Sequence, residues 1–313
     1  MGTSMTKISG TEIVERLNAS ASQVLFDKAA EFRMALICYF AGGHLLIEDI
    51  PGVGKTTFVK TLGRLLGLQF GRIQFTHDLL PSDILGVSIY QAATETFEYK
   101  PGPIFAELLL VDELNRASPR TQSALLQAME EHQVTIDRHS LPLPEPFFVV
   151  ATQNPRSQVG TFALPESQLD RFLMRIELGY PSASSETSLL MTANERPEAS
   201  DLVSPYSREQ LLAVRKEIST LHISREVAQY LQALLGESRR PTSKGVGLSP
   251  RAGLAWMAAA RASAFLSGRD AVLPEDVQFV AQPVLNHRLT QGELSYSKSA
   301  SLVEGLVSSV EIH

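Results

Sequence analysis

Apolar and polar positions follow two different rhythms along this chain. Three short stretches are apolar almost without a break: His44-Leu45-Leu46-Ile47-Glu48, Leu108-Leu109-Leu110-Val111 and Phe147-Phe148-Val149-Val150-Ala151. Continuous runs of that length suit strands buried on both faces of a parallel sheet. Elsewhere the apolar positions recur at helical spacing. Residues 11–40 read as two helices, 56–66 as a helix carrying Phe58, Leu62, Leu65 and Leu66, and 121–131 as another. Strands alternating with helices predict an α/β domain with a doubly wound parallel sheet. Two stretches interrupt the alternation, about 86–99 and 133–147 (the latter around Asp137-Arg138-His139-Ser140), and both read as inserted hairpins. From residue 182 the strand-like runs cease. Residues 207–219, 224–236, 250–267 and 274–287 read as helices, with Ser249-Pro250 supplying an N-cap and a proline at the first helical position. Leu273-Pro274-Glu275-Asp276 likewise puts acidic residues in a first turn. Residues 181–185 read as a linker and 239–247 as a loop, dividing the chain into an α/β domain over 1–181 and a small all-helical domain over 182–313. The stretch 302–312 fits a short helix or a strand.

Composition narrows the picture. A chain of 313 residues suggests two domains at roughly 150 residues each. Hydrophobic residues at 44% and charged residues at 20% suit a globular fold with a real core. The net charge of −6 gives no basic surplus for phosphate backbones, so a dedicated nucleic-acid binder is disfavoured. The one cysteine, Cys38, lies in an apolar run; it cannot form an internal disulfide, and it reads as a small buried residue rather than a catalytic thiol. No apolar run reaches ~18 residues and the N-terminus lacks a signal-peptide shape, so no membrane span and a cytoplasmic setting are expected. Met5 offers an alternative start after Met1 to Ser4.

The chemistry gathers around one turn. Pro51, Gly52, Val53, Gly54, Lys55, Thr56 and Thr57 stand between the first apolar strand and a helix, the context a phosphate-binding loop needs. Its backbone N–H groups would cradle phosphate at a helix N-terminus, Lys55 would neutralise β/γ oxygens, and the Thr56 hydroxyl would ligate Mg²⁺. The full pattern asks for glycine at position 49, where this chain has Asp49. Asp112 and Glu113 end the second strand, Asp112 as the second Mg²⁺-site ligand and Glu113 as the base that orients water. Asn154 follows the third strand and could bond that water or the γ-phosphate. It could also mark an ordinary turn before Pro155. Arg171 and Arg251 offer charge for a transition state, or structural ion pairs. Arg175, four residues beyond Arg171, shares its face if that segment is helical. Asn115 and Arg116 could restrain Glu113 or cap the next helix. His77 and Asp78 lack the partners of a metal site.

In order, Gly-Val-Gly-Lys-Thr, Leu-Leu-Val-Asp-Glu-Leu-Asn-Arg-Ala, Ala-Thr-Gln-Asn-Pro, Leu-Pro-Glu-Ser-Gln-Leu-Asp-Arg-Phe and Leu-Ser-Pro-Arg-Ala resemble the MoxR family of AAA+ ATPases over about residues 20–290. The resemblance implies a nucleotide-binding α/β domain with a helical lid, ATP and Mg²⁺ as cofactors, and a homo-oligomeric, hexameric ring with ATP between subunits. It implies Asp112 and Glu113 as the Walker B pair, Asn154 as sensor 1, Arg171 as a finger acting on the neighbouring subunit, and Arg251 as sensor 2 acting on its own chain's nucleotide. It matches the two hairpins to the inserts of that clade. The function it implies is ATP-driven remodelling or assembly of protein clients, often ones with von Willebrand factor A domains, sometimes aiding metal or cofactor insertion. Two alternatives stand beside it: a nucleic-acid motor of the same clade, which the poorly basic first hairpin disfavours, and the motor subunit of a metal chelatase.

Overall fold

The structure is a computed structural model describing residues 8–136, 139–154, 162, 164–191, 197–240 and 246–312. Asp137 and Arg138, Met1 to Ser4 and part of the 239–247 loop lie outside the described residues. Strands β1 (Leu45–Glu48), β2 (Phe70–Gln74), β5 (Leu108–Asp112), β8 (Phe148–Gln153) and β9 (Met174–Ile176) form one sheet in the order β2-β5-β8-β1-β9, with every neighbouring pair parallel. The first hairpin is β3 (Gly86–Gln91) with β4 (Thr96–Pro101), and the second is β6 (Gln133–Ile136) with β7 (His139–Pro142).

Thirteen α-helices are described. The N-terminal part holds α1 (Gly10–Ala21), α2 (Ala29–Phe40), α3 (Lys55–Leu66), α4 (Pro81–Leu85), α5 (Pro119–Glu131) and α6 (Glu166–Leu169). The remainder is helical: α7 (Ala183–Met191), α8 (Arg208–Ser219), α9 (Arg225–Ser238), α10 (Pro250–Leu266), α11 (Pro274–Phe279), α12 (Ala281–Leu289) and α13 (Ala300–Ser308).

The apolar runs of β1, β5 and β8 are buried because both sheet faces are covered there. Alternate side chains point to opposite faces. Leu45, Ile47, Leu108, Leu110, Phe148, Val150, Met174 and Ile176 belong to the core shared with α1–α3 and the C-terminal helices. Leu46, Ile73, Leu109, Val111, Val149 and Ala151 belong to a second core with Leu125, Leu126 and Met129 of α5. Burying one such aliphatic side chain contributes roughly 1.5–3 kcal/mol, so a polar residue here would be costly on either face.

Two sequence expectations change and one open alternative is decided. The helix expected over 274–287 is two helices that break at Val280. Pro283 explains the break: it has no N–H to give the Phe279 carbonyl, and its ring would crowd that carbonyl. Residues 181–185 are not a loose linker. The Ser182 hydroxyl accepts the Ser185 N–H (3.3 Å), the Ser182 carbonyl accepts the Glu186 N–H (2.8 Å), and α7 starts at Ala183. Residues 302–312, left open between helix and strand, are largely helical in α13. By contrast, Ser249 caps α10 as its sequence suggests, accepting the Ala252 N–H at 3.0 Å, a bond worth about 1 kcal/mol. Cys38 is fully buried, and burial pushes its thiol far above the usual range.

The C-terminal helices are fastened to the sheet through α12 and β9. Asn286 donates to the Arg175 carbonyl (3.0 Å). Arg288 donates to the carbonyls of Phe172 (2.9 Å) and Leu173 (3.0 Å) and to the Asp170 carboxylate (2.7 Å). Among the described residues, no helix is long and apolar enough to cross a membrane.

Candidate active site

The turn after β1 sits at the carboxyl end of a central strand, where open parallel sheets bind ligands. Gly52 and Gly54 have φ of +90° and +89°. A Cβ at either would meet nothing within 4 Å, so glycine is needed for its backbone conformation and not for space. Gly54 leads directly into α3, whose first residues are Lys55, Thr56 and Thr57. The first N–H groups of a helix have no internal partner, and the helix dipole makes this end attractive to anions.

A cavity of about 360 Å³ opens there. It is lined by Pro51, Gly52, Gly54, Lys55, Thr56, Thr57, Arg72, Gln74, Asp112, Glu113, Thr152 and Asn154. The parallel register brings the strand ends together: Gln74 lies beside Asp112, and Val111 beside Ala151. Val53 packs instead against the hydrophobic core.

The Lys55 ammonium is folded back on the loop, donating to the carbonyls of Asp49 (2.5 Å) and Ile50 (2.9 Å). Burial lowers its pKa, an effect opposed by the carboxylates of Asp49, Asp112 and Glu113. Asp112 is nearly buried; it accepts from Arg72 Nε (2.7 Å) and from the Thr152 hydroxyl (3.3 Å). Glu113 adopts a left-handed backbone with φ of +58°, a conformation costing on the order of 1–3 kcal/mol that tends to persist at functional sites. Its N–H is fixed by Thr152 Oγ1 (3.0 Å). Its carboxylate accepts from Asn154 Nδ2 (3.1 Å) and Gln74 Nε2 (2.9 Å), and pairs with Arg116 Nε (3.1 Å). Of the alternatives for Asn115 and Arg116, Arg116 does hold Glu113. Asn115 donates instead to the Asn154 carbonyl (3.2 Å), and the cap of α5 is Ser118. His77 stands apart from this cluster, with its ring edge against Phe162.

Sequence reasoning missed Arg72, Gln74 and Thr152. Phe70–Gln74 has only one deeply buried side chain, so its apolar signal is weak, yet Arg72 and Gln74 stand two apart, as one face of a strand requires.

The three arginines fall elsewhere. Arg171 lies in the turn after α6, where it donates to the Leu126 carbonyl and pairs with Glu130 (2.9 Å). Arg251 pairs with the same Glu130 (2.9 Å) and approaches Asp170 (3.9 Å). Neither lines the cavity. In this structure α10 presents Arg251 to Glu130 of α5. Arg175 does not share a helical face with Arg171, since it lies in β9. It is completely buried, bonded to Asn286 and the Leu294 carbonyl (2.7 Å), with Glu48 at 3.5 Å. A neighbouring subunit cannot be touched from there.

Thr56 and Asp112 put a hydroxyl and a carboxylate on one cavity, the hard oxygen donors that suit Mg²⁺.

A glycine-bounded loop at the carboxyl end of an interior strand of a parallel sheet, facing a strand-end carboxylate pair, marks a P-loop ATPase, and the added helical domain narrows this to the AAA+ class. The ATPase family associated with various cellular activities (AAA) matches residues 44–174, and the AAA lid domain matches 237–304. The chain is 41% identical to protein YeaC of Bacillus subtilis (strain 168) over 96% of its own length and 93% of that protein's. It is 38% identical to Chaperone MoxR1 of Mycobacterium tuberculosis over 88% of its length and 75% of that protein's. A crystal structure from Cytophaga hutchinsonii superposes with a TM-score of 0.86 at 36% identity, covering 97% of this chain and 96% of the other. The chain belongs to the MoxR family of AAA+ ATPases, a chaperone-like group, and is an ATP-hydrolysing enzyme.

Proposed function

We propose that this ATPase works as a ring, hexameric in its simplest form, whose active sites are completed between subunits and whose turnover remodels or assembles partner proteins. The observation that carries the reading is the separation of the two halves of the site. Lys55, Thr56, Asp112, Glu113 and Asn154 belong to one cavity or its rim, whereas Arg171 and Arg251 are held together on Glu130, away from it. A neighbour's Arg171 would then face the γ-phosphate from outside, while Arg251 would reach its own chain's nucleotide only after leaving Glu130. In this scheme the α/β domain over 1–181 binds ATP, and the helical domain over 182–313 responds to it.

Lys55 leaves the loop carbonyls to meet the phosphates. Thr56 and Asp112 would hold Mg²⁺, which supplies positive charge to the β and γ oxygens when bound. Gln74 and Arg116 hold one Glu113 oxygen and Asn154 the other, so the Asn154-bound oxygen keeps a lone pair with which to orient water. Arginine supplied from outside stabilises charge in the transition state and is worth about 10³–10⁵ in turnover in P-loop enzymes.

The client contact falls to the β3–β4 hairpin. Val87, Ile89, Tyr90 and Phe97 are all exposed, and Phe97 is 73% exposed, with the Tyr90 and Phe97 rings 5.4 Å apart. Its apolar surface suits a protein better than a phosphate backbone. The finer reading, that clients include proteins with von Willebrand factor A domains and that remodelling aids metal or cofactor insertion, rests on family resemblance. The test is capture with Glu113→Gln, which should bind ATP, fail to turn it over and retain its client. Protein captured only with ATP supports the proposal; DNA or RNA in its place would overturn it.

A further inference from the structure

Asp49 stands at the first position of the phosphate-binding loop, where the general pattern has glycine. Its side chain is buried and its bonds lead away from the cavity. One carboxylate oxygen accepts the N–H of Ile50 (2.7 Å). The other accepts the N–H groups of Leu178 (2.8 Å) and Gly179 (2.7 Å). Those two residues are where the chain leaves β9 for the helical domain, and Gly179 turns it with φ of +66°. The same segment is gripped from the turn between α1 and α2. Lys28 Nζ donates to the carbonyls of Leu178 (2.6 Å) and Tyr180 (3.4 Å), and Asp27 accepts the N–H (2.9 Å) and hydroxyl (2.6 Å) of Ser182, next to the start of α7. Of these anchors, Asp49 alone belongs to the phosphate loop.

The main chain of Asp49 is engaged too. Its carbonyl, with that of Ile50, holds the Lys55 ammonium. An ammonium has three donors, and two are spent here, so a phosphate that takes more than one N–H from Lys55 draws it off a loop carbonyl. Asp49 therefore touches the residue that senses phosphate at one end and the connector to the helical domain at the other. Glycine at this position could make no side-chain bond and would leave the Leu178 and Gly179 N–H groups without this acceptor.

We propose that Asp49 is a positioning residue that transmits phosphate binding from Lys55 to the Leu178–Gly179 turn, and so sets the placement of the helical domain over the nucleotide. The proposal rests on Lys55 being the phosphate ligand. The transmission is mechanical: release of the Asp49 carbonyl lets the residue shift, and its carboxylate carries the two connector N–H groups with it.

Amide hydrogen exchange on the full chain, with and without ATP, tests this directly. In the wild type, ATP should change exchange at Leu178 and Gly179 by roughly fivefold or more. In Asp49→Asn, an amide NH₂ replaces one acceptor and opposes either the Ile50 N–H or the connector N–H groups, so Asp49→Gly, which has no acceptor at all, is measured beside it and carries the same expected result. The ATP-dependent change at those amides should disappear, with ATP affinity held within about threefold and kcat lowered about tenfold, a split that a merely structural defect would not produce. No ATP effect at the wild-type connector overturns the proposal, and that measurement stands even where the variant folds poorly. An unchanged response in both variants also overturns it, as does parallel loss of affinity and kcat. Lys55→Ala separates the two readings: if it still binds ATP with wild-type affinity, the phosphate-loop assignment fails, whatever Asp49 does.

Discussion

The nucleotide cavity and the Glu130 face are built from the same materials, carboxylates and guanidinium groups, and the chain arranges them oppositely. In the cavity, two adjacent carboxylates at the end of β5, Asp112 and Glu113, are held by donors of neighbouring strands and turns: Arg72, Thr152, Asn154, Gln74 and Arg116. On the other face one carboxylate, Glu130, holds two arginines from distant parts of the chain. The first arrangement orients acids and bases around a ligand. The second keeps two cations together and partly exposed, away from this chain's own cavity. The contrast teaches that presence in a motif and presence in a site are different things. Arg171, Arg175 and Arg251 all lie in or beside family motifs, yet none lines this chain's own cavity.

The sharpest way to break the comparison is within the cavity. Lys55→Ala and Glu113→Gln should each lower ATP turnover by about 10²–10⁴, and Glu113→Gln should still bind nucleotide; a steady-state ATPase assay with a binding titration checks both. Turnover within a factor of two of wild type would remove these residues from the site.

Arg171→Ala should lower turnover by about 10³ while leaving ATP affinity nearly intact. Mixing it with Glu113→Gln subunits should restore activity that neither has alone, because intact cavities would then meet intact arginines. A mixture no more active than its components would place Arg171 outside the chemistry.

Arg175 sharpens the contrast through stability. Arg175→Ala strands a buried Glu48 and should cost on the order of 3–5 kcal/mol in denaturant unfolding, whereas Arg171→Ala should cost ~1 kcal/mol or less. Equal costs would contradict the burial difference between them.

The smallest expected change concerns pH. Burial lowers the His44 pKa to about 4, and the Val149 N–H donates to its Nδ1 (3.0 Å), so the ring is neutral in the fold. Burial and the charges of Arg288 and Arg175 push His287 well below its ordinary value too. An unfolded histidine protonates near 6.5. The unfolded chain therefore binds more protons between about pH 6.5 and 4. Stability is fully present above that window and falls as pH falls through it, by up to ~3 kcal/mol for His44. Urea unfolding at pH 7.5, 5.5 and 4.5 measures this, and His44→Gln should flatten the slope. A slope unchanged in that variant would mean His44 is not buried neutral.

Much of the cavity was legible because its parts are local. Gly52 to Thr56 need a turn between a strand and a helix, and that turn can be read from eight or so consecutive residues. Asp112, Glu113 and Asn154 could be joined to it because each ends an apolar run, and parallel strands bring such ends to one edge. Arg72 and Gln74 escaped because β2 is an edge strand with one buried side chain, and its polar surface hides it. The break at Val280 escaped because helical periodicity ran straight through Pro283. The partners of Asp49 escaped because they lie in a segment far along the chain.

The sequence by itself determined the α/β rhythm, the phosphate loop, the strand-end carboxylates and the change to helices after residue 182, since all of these depend on side-chain order within a few turns or strands. Only the tertiary structure decided which arginine is buried and which are presented together, and what Asp49 does in place of glycine. Those outcomes depend on which distant backbone groups meet a given side chain, and sequence spacing carries no record of that distance.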